Sequence, residues 1–177
     1  DGIATAFRVG NALGRPAYVL DDSRDIGRVV LADADTYFDF ASFRIANAVG
    51  GLTLTDDLHD RDFTVNAMAL PLTAGDRPLT TADVIDPTGG LADLAVRQIR
   101  QAHPAALSDD PLRALRAVRL AQALGFAIEP TTAAALPQAA LRLPTVSAER
   151  IRDEFCKLLS GPQPDRALAD LHTCGLL

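Results

Sequence analysis

The sequence has little of what disulfide-rich, zinc-binding and membrane-spanning proteins require. It contains two cysteines, Cys156 and Cys174, too few for a disulfide framework, so we expect a reduced, cytoplasmic protein. Its three histidines lie far apart and lack the spacing of zinc ligands. No apolar run reaches the roughly 18 residues of a membrane-spanning helix, and no targeting segment is recognisable. We therefore expect no association with membranes.

Positive charge is also scarce. The chain has 17 lysines and arginines against 23 aspartates and glutamates, which gives a formal net charge of −6. Proteins that bind duplexes broadly usually carry a basic surface, so we expect no DNA partner. A protein that grips only the end of a nucleic acid stays compatible with this charge. The length of 177 residues suits one domain or two small ones, and 48% hydrophobic residues supply a sizeable core.

The chain divides into a mixed part and a helical part. Residues 1–104 show the patterns of mixed α and β structure, whereas residues 105–177 are rich in alanine and leucine at helical spacing. The predicted elements are a helix ending at Gly14, strands over 17–20, 28–31 and 37–41, a loop over 45–57, a short helix over 62–69, a strand over 84–87, a helix capped by Ser108 or Asp109 and ending at Gly125, and helices over 147–160 and 165–174. The abrupt start and end of the sequence favour a piece of a longer protein.

The first polar constellation surrounds Asp39. On the predicted strand, alternation places Asp39 and Ala41 on one face and Phe38 and Phe40 on the other. A strand carboxylate that faces away from its aromatic neighbours can be a ligand for a hard cation. A solvated strand face explains the same pattern, and Arg44 after the strand is also compatible with an ordinary surface arginine.

The second constellation contains Arg61, Asp62 and Asn66. On a helix, Asp62 and Asn66 lie four residues apart and share a face, with Arg61 at the helix start. A charge, a carboxylate and an amide on one face can hold ribose and phosphate groups in a fixed orientation. A cluster that caps the helix, with Asp62 favoured by the helix dipole, is the structural alternative.

The third constellation begins at Asp110. Arg113, Arg116 and Arg119 recur every three residues among leucine, alanine and valine, so they form a slanted polar strip on an apolar helix. Asp110 lies within side-chain reach of Arg113, and such a pair can read the edge of a base, while the further arginines suit phosphates. An exposed helix face with a weak ion pair is the alternative.

In this order the polar stretches resemble those of class II tRNA nucleotidyltransferases and bacterial poly(A) polymerases, within the polymerase-β-like nucleotidyltransferases. The matching stretches are Asp-Phe-Ala-Ser-Phe-Arg at 39–44, Asp-Leu-His-Asp-Arg-Asp-Phe-Thr-Val-Asn-Ala-Met-Ala at 57–69, Asp-Pro-Thr-Gly-Gly-Leu-Ala-Asp-Leu at 86–94, Asp-Asp-Pro-Leu-Arg-Ala-Leu-Arg-Ala-Val-Arg-Leu at 109–120, Leu-Gly-Phe at 124–126 and Ser-Ala-Glu-Arg-Ile-Arg-Asp-Glu at 147–154. The stretch at 61–67 is the most distinctive family signature. The resemblance implies an α+β fold, with a polymerase-β-like nucleotidyltransferase head, N-terminally incomplete, over 1–104 and an all-α neck over 105–177.

The resemblance also implies roles for the residues of the head. Asp39 would be the third carboxylate of a catalytic magnesium site, and Arg44 would contact the incoming nucleotide. Arg61, Asp62 and Asn66 would bind ribose and triphosphate and couple the head to the neck.

For the neck, the resemblance implies recognition of the base by amino acids. Asp110 and Arg113 would pair with the Watson–Crick edge of CTP or ATP, and Arg116 and Arg119 would lie on the same nucleotide-binding helix. The segment 149–150, a glutamate and an arginine at a helix start, would brace the neck.

The implied activity is transfer of C, A or both from CTP and ATP to the 3′ end of a tRNA. Poly(A) addition to general RNA and a non-catalytic RNA- or nucleotide-binding fragment are the alternatives. In the family, a Gly-Gly loop and a paired Asp-x-Asp strand precede the helix that ends here at Gly14, and that segment is absent from this sequence, so we expect the chain to be inactive by itself. Asp60 stands where the family usually has a second arginine, which weakens the implied coupling of head and neck.

Overall fold

A computed structural model describes residues 1–31, 36–43, 53–72 and 78–177 of the chain. The chain forms two compact units, Asp1–Asp57 and Leu58–Leu177. The change in composition predicts a boundary between residues 104 and 105 instead. The two boundaries mark different properties, because residues 58–104 are mixed in structure but belong to the same compact unit as the helices that follow.

The first unit is a helix packed on a three-stranded antiparallel sheet. Helix α1 (Gly2–Leu13) is followed by strands β1 (Ala17–Asp21), β2 (Ile26–Val30) and β3 (Tyr37–Ala41), in the sheet order β1-β2-β3. Helix α1 ends at Gly14, whose φ of 61° is the left-handed conformation of a glycine C-cap. The predicted helix and the three predicted strands are confirmed in type and order.

Gly27 lets α1 lie directly on the sheet. A Cβ atom at Gly27 would lie 2.5 Å from the Cβ of Ala6 and 3.0 Å from the Cα of Ile3, closer than carbon atoms can pack. Val29, two residues along the same face, is fully buried. A glycine followed by an apolar residue at this spacing therefore fixes which side of the sheet α1 covers.

The turn between β1 and β2 fixes the start of α1. The carboxylate of Asp25 accepts hydrogen bonds from the backbone N–H of Gly2 at 2.7 Å and of Ile3 at 3.0 Å. It also accepts one from the hydroxyl of Ser42. These bonds, the one from Ser42 foremost, lower the pKa of Asp25 from 3.8 to about 2. Asp25 thus satisfies N–H groups that a helix start leaves unpaired.

The second unit is mostly helical. Its elements are α2 (Leu54–His59, which begins before the division), α3 (Gly90–Ala95), β4 (Gln98–Ile99), α4 (Ala106–Asp109), α5 (Leu112–Leu124), β5 (Ala127–Ile128), α6 (Pro130–Ala140), α7 (Ala148–Leu159) and α8 (Pro164–Thr173). Strands β4 and β5 pair in parallel, and single 3-10 turns lie at Thr64–Asn66, Thr81–Asp83 and Leu143–Thr145. Within the described ranges, no helix is long and apolar enough to cross a membrane.

Helix α5 forms the centre of the core of the second unit. Small and branched side chains of α5, including Ala114, Ala117 and Val118, are fully buried. Helices α6, α7 and α8 pack against it, and α6 and α8 contribute the fully buried Leu136 and Leu171. Small side chains let helices approach closely, so the alanine-rich sequence of α5 suits this central position.

The predicted helix over 62–69 is wrong. Phe63 forms a β-bridge with Gln101, and the N–H of Thr64 donates to the carbonyl of Arg100 at 2.9 Å. Only a single 3-10 turn follows. Aromatic and β-branched residues favour extended pairing where a partner is near, and the segment around β4 supplies that partner.

Other predicted boundaries also change. Residues 54–57 begin α2 where a loop over 45–57 was predicted, and residues 44–52 lie outside the described ranges. The predicted strand over 84–87 is reduced to one bridge, between Ala69 and Ile85. Pro111 takes the N-cap position of α5, which ends at Gly125 as predicted. Helix α6 was not predicted, since it contains Pro137 in its interior and proline normally ends a helix.

Candidate functional site

In the first unit, Asp39 lies on the sheet face opposite α1. Its cross-strand neighbour is Arg28, whose Nε donates to Oδ1 of Asp39 at 2.6 Å and whose Nη2 donates to Oδ2 at 2.8 Å. The guanidinium also lies 3.6 Å from the centre of the Tyr37 ring. Phe40 is paired across from Gly27 on the α1 side, so the predicted alternation of faces is confirmed.

This arrangement sets what Asp39 can do chemically. Both of its carboxylate oxygens are occupied by Arg28, and these hydrogen bonds raise the pKa of that guanidinium. No group of three or more histidine, cysteine, aspartate or glutamate side chains in the described ranges could hold a metal ion. A magnesium site uses one or two carboxylates together with substrate phosphates, so Asp39 would have to exchange its bonds with Arg28 to act as a ligand. Arg44, the predicted nucleotide contact nearby in sequence, lies outside the described residues.

In the second unit, Asp62 and Asn66 are brought together as predicted, although by a different backbone. The 3-10 turn places Nδ2 of Asn66 3.2 Å from Oδ1 of Asp62. Oδ1 also accepts from the N–H of Phe63 at 2.8 Å. Asp62 is buried, whereas Asn66 and Arg61 are exposed. An exposed amide and guanidinium beside a fixed carboxylate can contact polar groups of a ligand.

The Arg61–Asn66 segment is anchored by Asp93 and Arg100, neither of which was predicted as a site residue. The hydroxyl of Thr64 donates to Oδ2 of the buried Asp93 at 2.5 Å, and Nη2 of Arg100 lies 2.8 Å from the same oxygen. A Cβ atom at Gly90 would lie 2.2 Å from the carbonyl oxygen of Thr64. The Gly-Gly and aspartate of the stretch at 86–94 therefore anchor the segment at 61–66. In the sequence, the pattern that could have indicated this anchor is Gly90 followed three residues later by Asp93.

Arg116 and Arg119 are engaged by internal carboxylates. Nε of Arg116 donates to Oδ2 of Asp62 at 2.9 Å, and Nη2 of Arg116 lies 2.7 Å from the same oxygen. Nε of Arg119 donates to Oε2 of Glu154 at 2.7 Å, and Nη1 of Arg116 lies 3.9 Å from Oε1 of Glu154. We call Asp62, Arg116, Glu154 and Arg119 the internal ion network.

Glu154 is the member of this network that the sequence analysis missed. It is only 5% exposed, and α7 places it among the apolar side chains of Ile151, Phe155 and Leu158. A glutamate inside an apolar stripe is the signal that could have identified it, because buried carboxylates need paired cations.

Asp110 and Arg113 are not brought together. Arg113 is only 7% exposed; its Nη1 donates to the carbonyl of Ala106 at 3.2 Å and its Nη2 to the carbonyl of Asp60 at 2.8 Å. The predicted contact between the two side chains is therefore absent among the described residues. Its physical reason is that Arg113 lies on the inner side of α5, where two backbone carbonyls accept its protons.

Asp110 is paired with Arg150 instead. Nη2 of Arg150, from the first turn of α7, lies 2.6 Å from Oδ2 of Asp110, and the Asp110 side chain is 28% exposed. The other oxygen accepts from the N–H of Leu112 at 3.2 Å. Glu149, the preceding residue, is exposed. The structure thus presents a fixed, partly exposed carboxylate at the start of α5.

Comparisons with family models and with curated relatives cover most of the chain. A family model described as the poly A polymerase head domain matches residues 15–100, and one described as a probable RNA and SrmB-binding site of polymerase A matches residues 125–177. A CC-adding tRNA nucleotidyltransferase of Geobacter sulfurreducens is 40% identical over 90% of the chain. An A-adding tRNA nucleotidyltransferase of Deinococcus radiodurans is 37% identical over 100% of it.

A solved structure agrees with the sequence matches. The chain superposes with a TM-score of 0.81 and 29% identity on a tRNA nucleotidyltransferase complexed with a primer tRNA and an incoming ATP analog, covering 97% of the chain and 48% of that structure. The chain belongs to the family of poly(A) polymerases and tRNA nucleotidyltransferases. The expected head followed by a helical region is confirmed. The chain spans 33% and 38% of the length of the two relatives from Geobacter and Deinococcus.

Proposed function

We propose that the complete gene product is an RNA nucleotidyltransferase that adds C, A or both from CTP and ATP to the 3′ end of tRNA. The observation that carries this proposal is the carboxylate of Asp110, held at the start of α5 and 28% exposed. A fixed acceptor attracts the amino groups of cytosine and adenine and repels the keto oxygens of uracil and guanine. The relatives named for CC-addition and A-addition to tRNA support the same choice of nucleotides.

In this reaction the terminal 3′-hydroxyl of the RNA attacks the α-phosphorus of the triphosphate. A new P–O bond forms, the bond to the β-phosphate oxygen breaks, and pyrophosphate leaves. The protein aligns the two reactants and offsets negative charge. We assign Arg44 and the exposed Arg61 to the triphosphate and the exposed Asn66 to the ribose, with Asp62 fixing the position of Asn66.

Within the neck, we assign base selection to Asp110 and give the arginines of α5 a different role from the one that the sequence implied. Arg113 ties the start of α5 to the carbonyl of Asp60. Arg116 and Arg119 are both bound by carboxylates of the internal ion network. They therefore affect the nucleotide by fixing the position of α5. They hold α5 in register with the Arg61–Asn66 segment and with α7.

The proposal includes dependence on Mg²⁺ and binding of ATP. Asp39 would supply one carboxylate to the metal after exchanging its bonds with Arg28, and no step proposed above passes through the metal. We further propose that residues 1–104 correspond to the head and 105–177 to the neck, which the positions of the two family matches support. A cytoplasmic location is supported by the two free cysteines.

Poly(A) addition to general RNA is the second candidate. It is favoured by the descriptions of both matching family models, which refer to poly(A) polymerase. Both candidates use the same chemistry and differ in the acceptor RNA and in the number of nucleotides added.

The test incubates the complete gene product with Mg²⁺, each triphosphate separately, and tRNAs that end before the first C, after CC or after CCA. Products are resolved to single nucleotides. We expect addition of C, A or both that stops at CCA. A long adenosine tail would replace the proposal by poly(A) synthesis, and no addition to any acceptor would leave a nucleotide- or RNA-binding protein.

A further inference from the structure

We infer that Arg150 is a positioning residue for base selection, because it fixes the orientation of the Asp110 carboxylate. This inference rests on the proposed function. The contact joins the first turn of α7 to the residue before α5, with 2.6 Å between Nη2 of Arg150 and Oδ2 of Asp110. The next bond to this carboxylate, from the N–H of Leu112, is longer at 3.2 Å. Arg150 therefore provides the tighter restraint on how the carboxylate is turned.

The arginines of α5 do not supply this restraint. Arg113 is buried and donates both terminal nitrogens to backbone carbonyls. Arg116 and Arg119 face Asp62 and Glu154. Of the guanidinium groups described near the start of α5, Arg150 is the one that bonds the Asp110 carboxylate.

A second arginine holds the short helix α4, which ends directly before Asp110. Nη1 of Arg142, in the segment after α6, donates to the carbonyl of Ser108 at 2.5 Å. Asp110 itself is extended, with φ −137° and ψ 100°. The last turn of α4 is thus held by Arg142, and the carboxylate of Asp110, the residue directly after α4, is held by Arg150.

Orientation matters because an acceptor selects amino over keto groups only when it points at them. An ionised carboxylate has about four sites for accepting hydrogen bonds, so the bonds from Arg150 and Leu112 leave room for the amino group of a base. A carboxylate that rotates freely can turn away from a keto oxygen, and its repulsion of UTP and GTP is then lost. Removal of Arg150 should therefore lower discrimination more than it lowers overall activity.

The experiment compares Arg150→Ala with Arg152→Ala in the complete gene product. Arg152 lies in the same helix and, within the described ranges, bonds only its neighbour Asp153, with both side chains more than half exposed. Incorporation of a single nucleotide is measured with CTP against UTP and with ATP against GTP, as kcat and KM separately. For Arg150→Ala we expect the kcat/KM ratio of correct to incorrect triphosphate to fall about fivefold or more, the lower end of what one base contact contributes.

The conservative variant and the double variant separate positioning from bracing. Arg150→Lys keeps the charge but not the guanidinium geometry, so it should recover part of the discrimination. In an Asp110→Ala background, the further change Arg150→Ala should not lower discrimination again, because the two residues act as one unit. Thermal unfolding is measured alongside and should change little, since the pair is partly exposed.

The outcomes distinguish this inference from the proposed function. A wild-type protein that adds no nucleotide, or that adds all four equally, overturns the proposed function and the inference with it. A wild-type protein that discriminates, together with an Arg150→Ala variant that loses activity equally with all triphosphates, overturns the inference alone. In that case Arg150 braces the neck without setting the orientation of Asp110.

Discussion

The two units use ion pairs in opposite ways. In the first unit, Arg28 and Asp39 face each other across two strands with their side chains 21% and 36% exposed. In the second unit, the Glu154 side chain is 6% exposed and is approached by Arg116, Arg119 and Lys157 at 3.9, 2.7 and 3.4 Å. Water reaches the carboxylate of Asp39 and is largely excluded from that of Glu154.

The difference separates carboxylates that hold the fold from carboxylates that can take part in chemistry. A buried carboxylate has lost its hydration, and removal of its cationic partners would leave an uncompensated charge. Those partners are therefore not available to a ligand. A partly exposed carboxylate such as Asp39 or Asp110 can exchange a partner for a ligand at small cost, because water and the ligand compete on similar terms. The internal ion network is therefore a scaffold, and the partly exposed carboxylates are the better candidates for contact with nucleotide.

The largest expected effect comes from breaking the internal ion network. Glu154→Ala should lower the free energy of unfolding by about 2 to 3 kcal/mol, somewhat below the ~3–5 kcal/mol typical of fully buried pairs because both arginines keep some contact with water. Urea unfolding of the complete gene product measures this change. Glu149→Ala, on the exposed side of the same helix, is the matched control and should stay within about 0.5 kcal/mol of the wild type. Equal effects of the two substitutions would show that the network contributes no more than surface charges.

The same comparison shows what the sequence could predict. Elements with regular patterns and clear ends, such as α1 with Gly14 and α5 with Gly125, were predicted correctly. The segment at 62–69 was not, because its pairing partner around Gln101 lies far along the chain and a local pattern does not reveal it. Helix α6 was not predicted because proline normally ends a helix and Pro137 lies in its interior. Tertiary packing of the buried Leu136 favours the helix all the same.

For the candidate site, the sequence predicted the residues better than their partners. The side chains of Asp62 and Asn66 are in contact as expected. A separation of four positions along the chain brings two side chains together in several tight backbone geometries. Asp110 pairs with Arg150, forty residues later, instead of with the nearby Arg113. Helical spacing fixes which residues share a side of α5 but does not tell which other helix faces that side. Long-range ion pairs are for that reason the least predictable part of the site.

An intermediate effect is expected for the exposed pair of the first unit. Arg28→Ala should lower the free energy of unfolding by less than Glu154→Ala does, and this loss should shrink at 1 M salt, where the Debye length falls to about 3 Å. Urea unfolding at low and high salt measures both quantities. Arg24→Ala is a suitable control, because the ion pair of Arg24 with Asp21 is longer at 3.6 Å and Arg24 is 55% exposed. A loss in Arg28→Ala as large as that in Glu154→Ala would remove the distinction between the two units.

The smallest effect is expected from acid, and it falls on the first unit. The fold lowers the pKa of Asp25 from 3.8 to about 2, first through the hydrogen bond from Ser42 and then through the N–H groups of Ile3 and Gly2. A lowered pKa means that the folded state favours the charged form, so this contribution is fully present above pH 3.8 and is lost as the pH falls toward 2. Asp25→Asn removes the charge at every pH. Its difference in unfolding free energy from the wild type should therefore be constant near neutral pH and shrink between pH 4 and pH 2. A difference that stays constant down to pH 2 would show that the charge of Asp25 does not support α1.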